Sequence, residues 1–96
     1  MIQKVILKLR VLTHEPSIKI IEALDSGEMT GKDLEFVTGM PQSTVSRYVN
    51  ELVDYGYVEC HTGDKDARWK YFQLTGEVER VFGSVRNLMN YKNQTK

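Results

Sequence analysis

Hydrophobic residues recur at helical spacing through the first 40 residues and predict a series of short helices. Residues 1–12 are apolar along one helical face, which predicts a helix. Their β-branched side chains are also compatible with a strand, which is the alternative for this segment. A second helix is expected to begin near Pro16, a favoured first-turn residue, and to end at Ser26-Gly27. Residues 28–30 should form a short strand-like connector to the next element.

The third predicted helix covers residues 31–38 and carries its own start and stop signals. Thr30 is placed to cap it, with Asp33 in the capping-box position, and Gly39 should end it. The apolar positions expected to line this helix are Leu34, Val37 and Phe36.

A longer helix over residues 41–55 follows, and Gly56 should terminate it. One side of this helix is apolar and must face a core; its residues are Val45, Val49, Leu52 and Val53. Residues 57–61 and 68–74 then read as two strands joined by a polar loop at 62–67, which predicts a β-hairpin.

The final predicted helix spans residues 76–91. Its apolar stripe consists of Val78, Val81, Phe82, Val85, Leu88 and Met89. The order of elements, mainly helices with one small hairpin, predicts a winged helix-turn-helix fold in a single domain over residues 1–96.

The polar side of residues 41–55 carries the chemistry that points to a function. The amide side chains suit adenine, arginine suits guanine, and serines can bond bases or phosphates; the residues are Gln42, Ser43, Ser46, Arg47 and Asn50. A plain solvated face is the alternative interpretation. Such a face usually mixes acids with bases, whereas no acid occurs between residues 41 and 50.

Composition argues partly against nucleic acid, because 13 basic and 13 acidic residues give a formal net charge of zero. Acids are nevertheless missing from residues 1–12 and 80–96, so a local basic surface is possible. The sequence contains one cysteine, Cys60, which excludes a disulfide within the chain and favours a buried structural thiol over a redox switch. We expect a cytoplasmic protein, since neither a signal peptide nor a membrane-length apolar segment is evident.

The segment QSTVSRYVNELVDYGYVE resembles the recognition helix of the ArsR and MarR winged-helix regulators. Upstream, EPSIKIIEALDSGEMTGKDLEFVTGM resembles the preceding helices of that family, and LTGE resembles the segment after the wing. The resemblance covers about residues 12–78 and extends to small archaeal and archaeal-virus regulators. It implies double-stranded DNA contacts from the recognition helix at Gln42, Ser43, Thr44, Ser46, Arg47 and Tyr48.

The same resemblance implies wing contacts from Lys65, Arg68 and Lys70, while Asp64 and Asp66 depart from a basic wing tip. It also argues against a metal effector or cofactor, because the paired cysteines and histidine clusters of metal-sensing members are missing. A plain solvated turn is the alternative for the wing.

A homodimer is implied by the family and by apolar faces at both ends of the chain. The elements expected to pair are 1–13 and 76–91, through Ile2, Val5, Ile6, Leu9, Val78, Val81, Phe82, Val85, Leu88 and Met89. The alternative is that both terminal helices pack only on their own domain.

The function predicted from these features is sequence-specific DNA binding by a dimeric transcription regulator. No catalytic constellation is evident, so an enzyme is not expected. An architectural or partition-type DNA-binding protein and a protein-interaction module are the alternatives. Outside the predicted site, His14 and His61 are expected as polar surface or cap residues. Hairpin packing is expected for Trp69, Tyr71 and Phe72.

Overall fold

The computed structural model describes residues 9–63 and 68–94. Within them, a 3₁₀ turn at Val11–Thr13 is followed by α1 (Glu15–Leu24), β1 (Met29–Thr30), α2 (Gly31–Thr38), α3 (Gln42–Asp54), β2 (Val58–Thr62), β3 (Lys70–Leu74), α4 (Glu77–Phe82) and α5 (Val85–Gln94). This mainly helical order with a small antiparallel sheet confirms the predicted fold class. Residues 1–8 of the first predicted element lie outside the described residues.

The core forms where α1, α2 and α3 meet the base of the hairpin. Helices α1 and α3 each contribute one apolar face, and Tyr57 closes the core after α3 ends. Side chains that are 0–1% exposed include Leu12, Ile20, Ile21, Leu34, Leu52 and Tyr57. Burial of this apolar surface is the main force that holds the helices at fixed angles.

Helix α2 has the predicted capping box. The Asp33 backbone N–H donates to Thr30 Oγ1 at 3.1 Å, and the Thr30 N–H donates to Asp33 Oδ2 at 3.1 Å. Leu34 is fully buried, but the expectation that Val37 and Phe36 also face the core is wrong, because they are 54% and 89% exposed. Leu34 is thus the buried residue of this short helix.

Replacing Thr30 by alanine removes the Oγ1 acceptor of this capping box and leaves the backbone N–H that donates to Asp33. We expect the free energy of unfolding to fall by about 1 kcal/mol, the usual cost of losing a side-chain N-cap. Urea unfolding followed by circular dichroism measures the loss. Thr30→Ser keeps the hydroxyl and should recover most of it; an equal loss in both variants would assign the effect to the threonine methyl group instead.

The sheet has the order β1-β3-β2, so the predicted hairpin gains a short third strand. Met29 pairs with Phe72, and Cys60 pairs with Phe72 from the other side. The expectation that Cys60 is buried is wrong, since its thiol is exposed. The reason is that β2 is an edge strand that leaves the core after Val58.

The predicted helix over 76–91 is broken in two. Gly83 adopts a left-handed conformation with φ 83° and ends α4, and its N–H donates to the Glu79 carbonyl. Asn87 reaches back across the break, and its Nδ2 donates to the Phe82 carbonyl at 2.8 Å. The Ser84 hydroxyl accepts the Asn87 N–H and starts α5. The apolar stripe is therefore presented by two short helices instead of one.

The break changes the expected dimer surface. Val78, Val85 and Leu88 are 1%, 6% and 4% exposed within this chain, so they belong to its own core and not to a free face. For these three residues, the prediction of a partner contact is corrected. Leu9 and Val81 are 43% and 41% exposed, and Phe82 and Met89 are half-buried. Ile2, Val5 and Ile6 lie outside the described residues.

Tyr57 makes the stability of the fold depend on pH under alkaline conditions. Burial raises the pKa of its phenol from 10.0 to about 12, and the nearby Glu77 carboxylate adds to the shift. Because the folded state holds this proton more tightly than the unfolded chain, the associated stability is complete below pH 10.0 and is lost as pH rises toward 12. We expect Tyr57→Phe to show a shallower loss of stability over this range.

The measurement compares urea unfolding of the wild-type protein and Tyr57→Phe at several pH values. All other ionisable groups are common to both proteins, so the difference in slope reports Tyr57. Identical slopes would mean that the phenol titrates equally in the folded and unfolded chains.

Candidate nucleic-acid interface

The turn between α2 and α3 is fixed by local hydrogen bonds. Gly39 has φ 74°, a left-handed conformation that suits glycine, and its N–H donates to the Glu35 carbonyl at 2.9 Å. The Thr38 hydroxyl donates to the Leu34 carbonyl at 2.5 Å and accepts the Met40 N–H at 3.2 Å. These bonds set the angle at which α3 leaves α2, as a helix-turn-helix requires.

Helix α3 separates its apolar and polar residues cleanly. Val45, Val49 and Leu52 are 3%, 2% and 0% exposed. The first turn of α3 has no side-chain cap and no acidic residue, so the positive end of the helix dipole is open to an anion. The exposed residues of α3 from position 42 to 50 are all predicted DNA contacts: Gln42, Ser43, Ser46, Arg47 and Asn50.

A groove of about 470 Å³ separates α3 from β3, and we call it the reading groove. Its α3 side carries Gln42, Ser46 and Asn50. Its hairpin side carries Arg68, Trp69 and Lys70.

The reading groove is locally positive. Lys32 from α2 joins Arg68 and Lys70 among its lining residues, against one carboxylate, Glu35, within the described part of the chain. A chain with zero net charge thus gathers cations where the recognition helix and the hairpin face each other. This local excess of positive charge is compatible with nucleic-acid binding, although the net charge of the chain is zero.

The remaining predicted contacts occupy different positions. Arg47 is exposed, and its guanidinium carbon lies 5.2 Å from the centre of the Tyr48 ring. Tyr48 is half-buried, packs against the core and meets His14 edge-on at 5.9 Å. Thr44 is also half-buried. Lys65 lies outside the described residues, so its predicted contact stays a prediction.

Two residues of the groove were missed or misread from sequence. Lys32 was not among the predicted contacts. The sequence feature that could have indicated it is its position two residues before the buried Leu34, which places it on the opposite, exposed side of α2. Hairpin packing was expected for Trp69, yet it is 48% exposed and is not among the residues that pack against the core. The sequence feature that could have indicated a place in the groove is its position between two basic residues, Arg68 and Lys70.

The face of the hairpin that carries His61 and Tyr71 has acidic partners, unlike the locally positive reading groove. His61 lies within 3.2 Å of the Glu28 carboxylate and stacks on Tyr71 with ring centres 5.7 Å apart. Gln73 donates a hydrogen bond to the Glu59 carboxylate on this face. Since neighbouring residues of a strand point to opposite faces, Tyr71 faces away from the face that carries Lys70 and Phe72.

The described residues contain neither a cluster of metal-binding side chains nor a helix suited to a membrane. Across residues 9–63 and 68–94, no three His, Cys, Asp or Glu side chains gather where they could hold a metal ion. No helix in the same part of the chain is both long enough and apolar enough to cross a membrane.

Comparison with known proteins places this geometry in a family. A sequence model of the MarR family matches residues 12–68, more than half of the chain. A search of curated proteins gave no significant match. The match includes α1, the turn, α3 and the start of the hairpin.

Solved structures have the same fold. The adhesin competence repressor AdcR from Streptococcus pyogenes superposes with a TM-score of 0.72 at 21% identity, covering 85% of this chain and 59% of its own. A MarR family transcriptional regulator from Silicibacter pomeroyi gives 0.68 at 31% identity, covering 79% and 52%. BpsR from Bordetella bronchiseptica gives 0.69 at 18% identity, covering 84% and 62%. The chain therefore spans only about half to three fifths of the length of these structures.

Proposed function

The chain belongs to the MarR family, and on this basis we propose that it is a sequence-specific double-stranded DNA-binding regulator of transcription that acts as a homodimer. The observation that carries the proposal is the exposed polar face of α3 over residues 42–50, which contains no acid, beside the locally positive reading groove. Among the similar structures, AdcR is described as a repressor, and the DNA binding of BpsR is regulated by 6-hydroxynicotinic acid.

In the proposed complex, α3 lies in the major groove, which is wide enough to admit a helix. Asn50 and Gln42 are suited to adenine, and Arg47 is suited to the O6 and N7 atoms of guanine. The open N-terminus of α3 and the cations of the reading groove would hold the phosphates on either side. The hairpin would contact the adjacent backbone or minor groove.

We propose that two copies pair through the ends of the chain, with Leu9, Val81, Phe82 and Met89 as the apolar contacts among the described residues. Pairing would place two recognition helices about 34 Å apart, one turn of the duplex. We further propose a single non-enzymatic domain in the cytoplasm. The likeness to ArsR-type and small archaeal regulators remains part of this proposal.

Selection of bound duplexes from a random DNA pool tests the proposal. The expected result is a pseudo-palindromic site with half-sites about 10 base pairs apart. Salt-dependent binding without an enriched sequence would favour an architectural or partition role. A folded protein that binds no duplex at low salt would contradict DNA binding and favour a protein-interaction module. Analytical ultracentrifugation separately tests the dimer.

A further inference from the structure

Trp69 stands at the loop end of the hairpin and lines the reading groove. Its carbonyl accepts the Gly63 N–H at 2.8 Å, which fixes its backbone where β2 ends. About half of the residue is exposed, whereas Phe72, also in the groove, packs against the core. A single exposed aromatic needs no explanation by itself. The position of Trp69 between two cations and opposite Ser46 and Asn50 is what points to a ligand.

The proposed docking determines what enters this space. When α3 lies in the major groove and the hairpin reaches the adjacent minor groove, one sugar–phosphate strand separates the two grooves and must pass between α3 and β3. Its phosphates would meet Lys32, Arg68 and Lys70. Its deoxyribose rings present apolar surface, while bases stacked in a duplex offer no free face to an aromatic side chain.

We propose that Trp69 is a DNA contact, with its ring packed on the deoxyribose of the strand that passes through the reading groove. The inference rests on the proposed DNA-binding function and names a residue that adds affinity without reading sequence. Indole suits this role because it combines a large apolar face with one N–H donor that is available for a phosphate oxygen. The neighbouring cations would hold the strand in register for this contact.

The tryptophan provides its own probe. It is the only tryptophan in the sequence, so protein emission excited through indole reports this position alone. The experiment titrates wild-type protein with a fluorescein-labelled duplex of mixed sequence at low salt, where phosphate contacts alone support binding. Anisotropy of the label measures binding. Acrylamide quenching of the indole measures whether DNA covers Trp69, and we expect protection in the complex.

Variants separate a contact from a structural role. We expect Trp69→Ala to weaken binding by about tenfold, the effect of losing roughly 60 Å² of buried apolar ring. Trp69→Phe should bind within about threefold of wild type because it keeps an aromatic face. Tyr71→Ala is the control, since it removes a nearby aromatic ring that stacks on His61 and does not line the reading groove, and it should leave affinity unchanged.

Salt dependence gives a second discriminating readout. Trp69→Ala should keep the wild-type slope of log affinity against log salt, because the indole is uncharged and its loss neutralises no fewer phosphates. Lys32→Ala should reduce that slope by about one. Circular dichroism confirms that each variant is folded; if Trp69→Ala does not fold, Trp69→Phe and the acrylamide protection of wild type decide the matter.

The outcomes separate this inference from the function on which it rests. Binding without protection of the indole, or equal affinities for Trp69→Ala and Tyr71→Ala, overturns the contact and leaves DNA binding intact. A reduced salt slope in Trp69→Ala overturns the assignment to deoxyribose, because it shows that contacts between cations and phosphates were lost. No anisotropy change at low salt overturns the proposed function, and the Trp69 contact with it.

Discussion

Replacing Arg47 by alanine is expected to weaken binding to the selected operator by about 10- to 100-fold, or about 1–3 kcal/mol. Arg47 is exposed on α3, and the partner that fixes its direction is the Tyr48 ring beneath its guanidinium. The fold should therefore tolerate the change while a bidentate contact to guanine is lost. Competition with duplexes substituted at single positions should show that discrimination disappears at one base of each half-site and remains at the others.

Two controls separate base reading from charge. Arg47→Lys keeps the positive charge but cannot form the planar bidentate contact, so it should retain the salt slope without restoring discrimination. Arg80→Ala removes an equally exposed charge on α4, where Arg80 pairs with Glu77, and should barely change operator binding. Full discrimination in Arg47→Lys would make Arg47 a phosphate contact. Wild-type binding by Arg47→Ala would remove it from the interface.

The helix-turn-helix could be predicted because local interactions form it. The Thr30 and Asp33 capping box and the left-handed Gly39 each involve residues a few positions apart, so the sequence pattern contains the whole interaction. The faces of α3 follow in the same way from helical spacing and the absence of acids in its first turn. The membership in the MarR family agrees with the resemblance seen in the recognition helix.

The features that sequence did not predict depend on tertiary neighbours. Apolar residues recur at helical spacing from Val78 to Leu88 without interruption, so the sequence predicts one helix. The break at Gly83 leaves that spacing almost unchanged but divides the residues between α4 and α5. The exposure of Cys60 follows from β2 being the edge strand, which no local pattern reveals. Lys32 enters the site because α2 ends up against the hairpin, through the pairing of β1 with β3.

The exposure of Trp69 also could not be predicted from its residue type. An aromatic residue in a strand ordinarily predicts packing, and Phe72 follows that rule. Trp69 lies just before β3, where the hairpin has already left the core, so the same residue type meets the reading groove instead. Distance from the core, and not residue type, decides here whether an aromatic ring packs against the core or is exposed.

Replacing Leu52 by alanine is expected to lower the free energy of unfolding by about 2–5 kcal/mol, a large part of the 5–15 kcal/mol typical of a domain. Leu52 is 0% exposed on the buried side of α3, so truncation leaves a cavity beneath the recognition helix. Urea unfolding measures the loss, and Val53→Ala, one position along and half-buried, should cost only about 1 kcal/mol. The folded fraction of Leu52→Ala should still bind DNA, because the polar side of α3 is unchanged. Arg47→Ala should do the reverse and lose affinity while keeping stability. If Leu52→Ala costs no more than Val53→Ala, or loses binding while fully folded, the two sides of α3 are not separable into packing and reading.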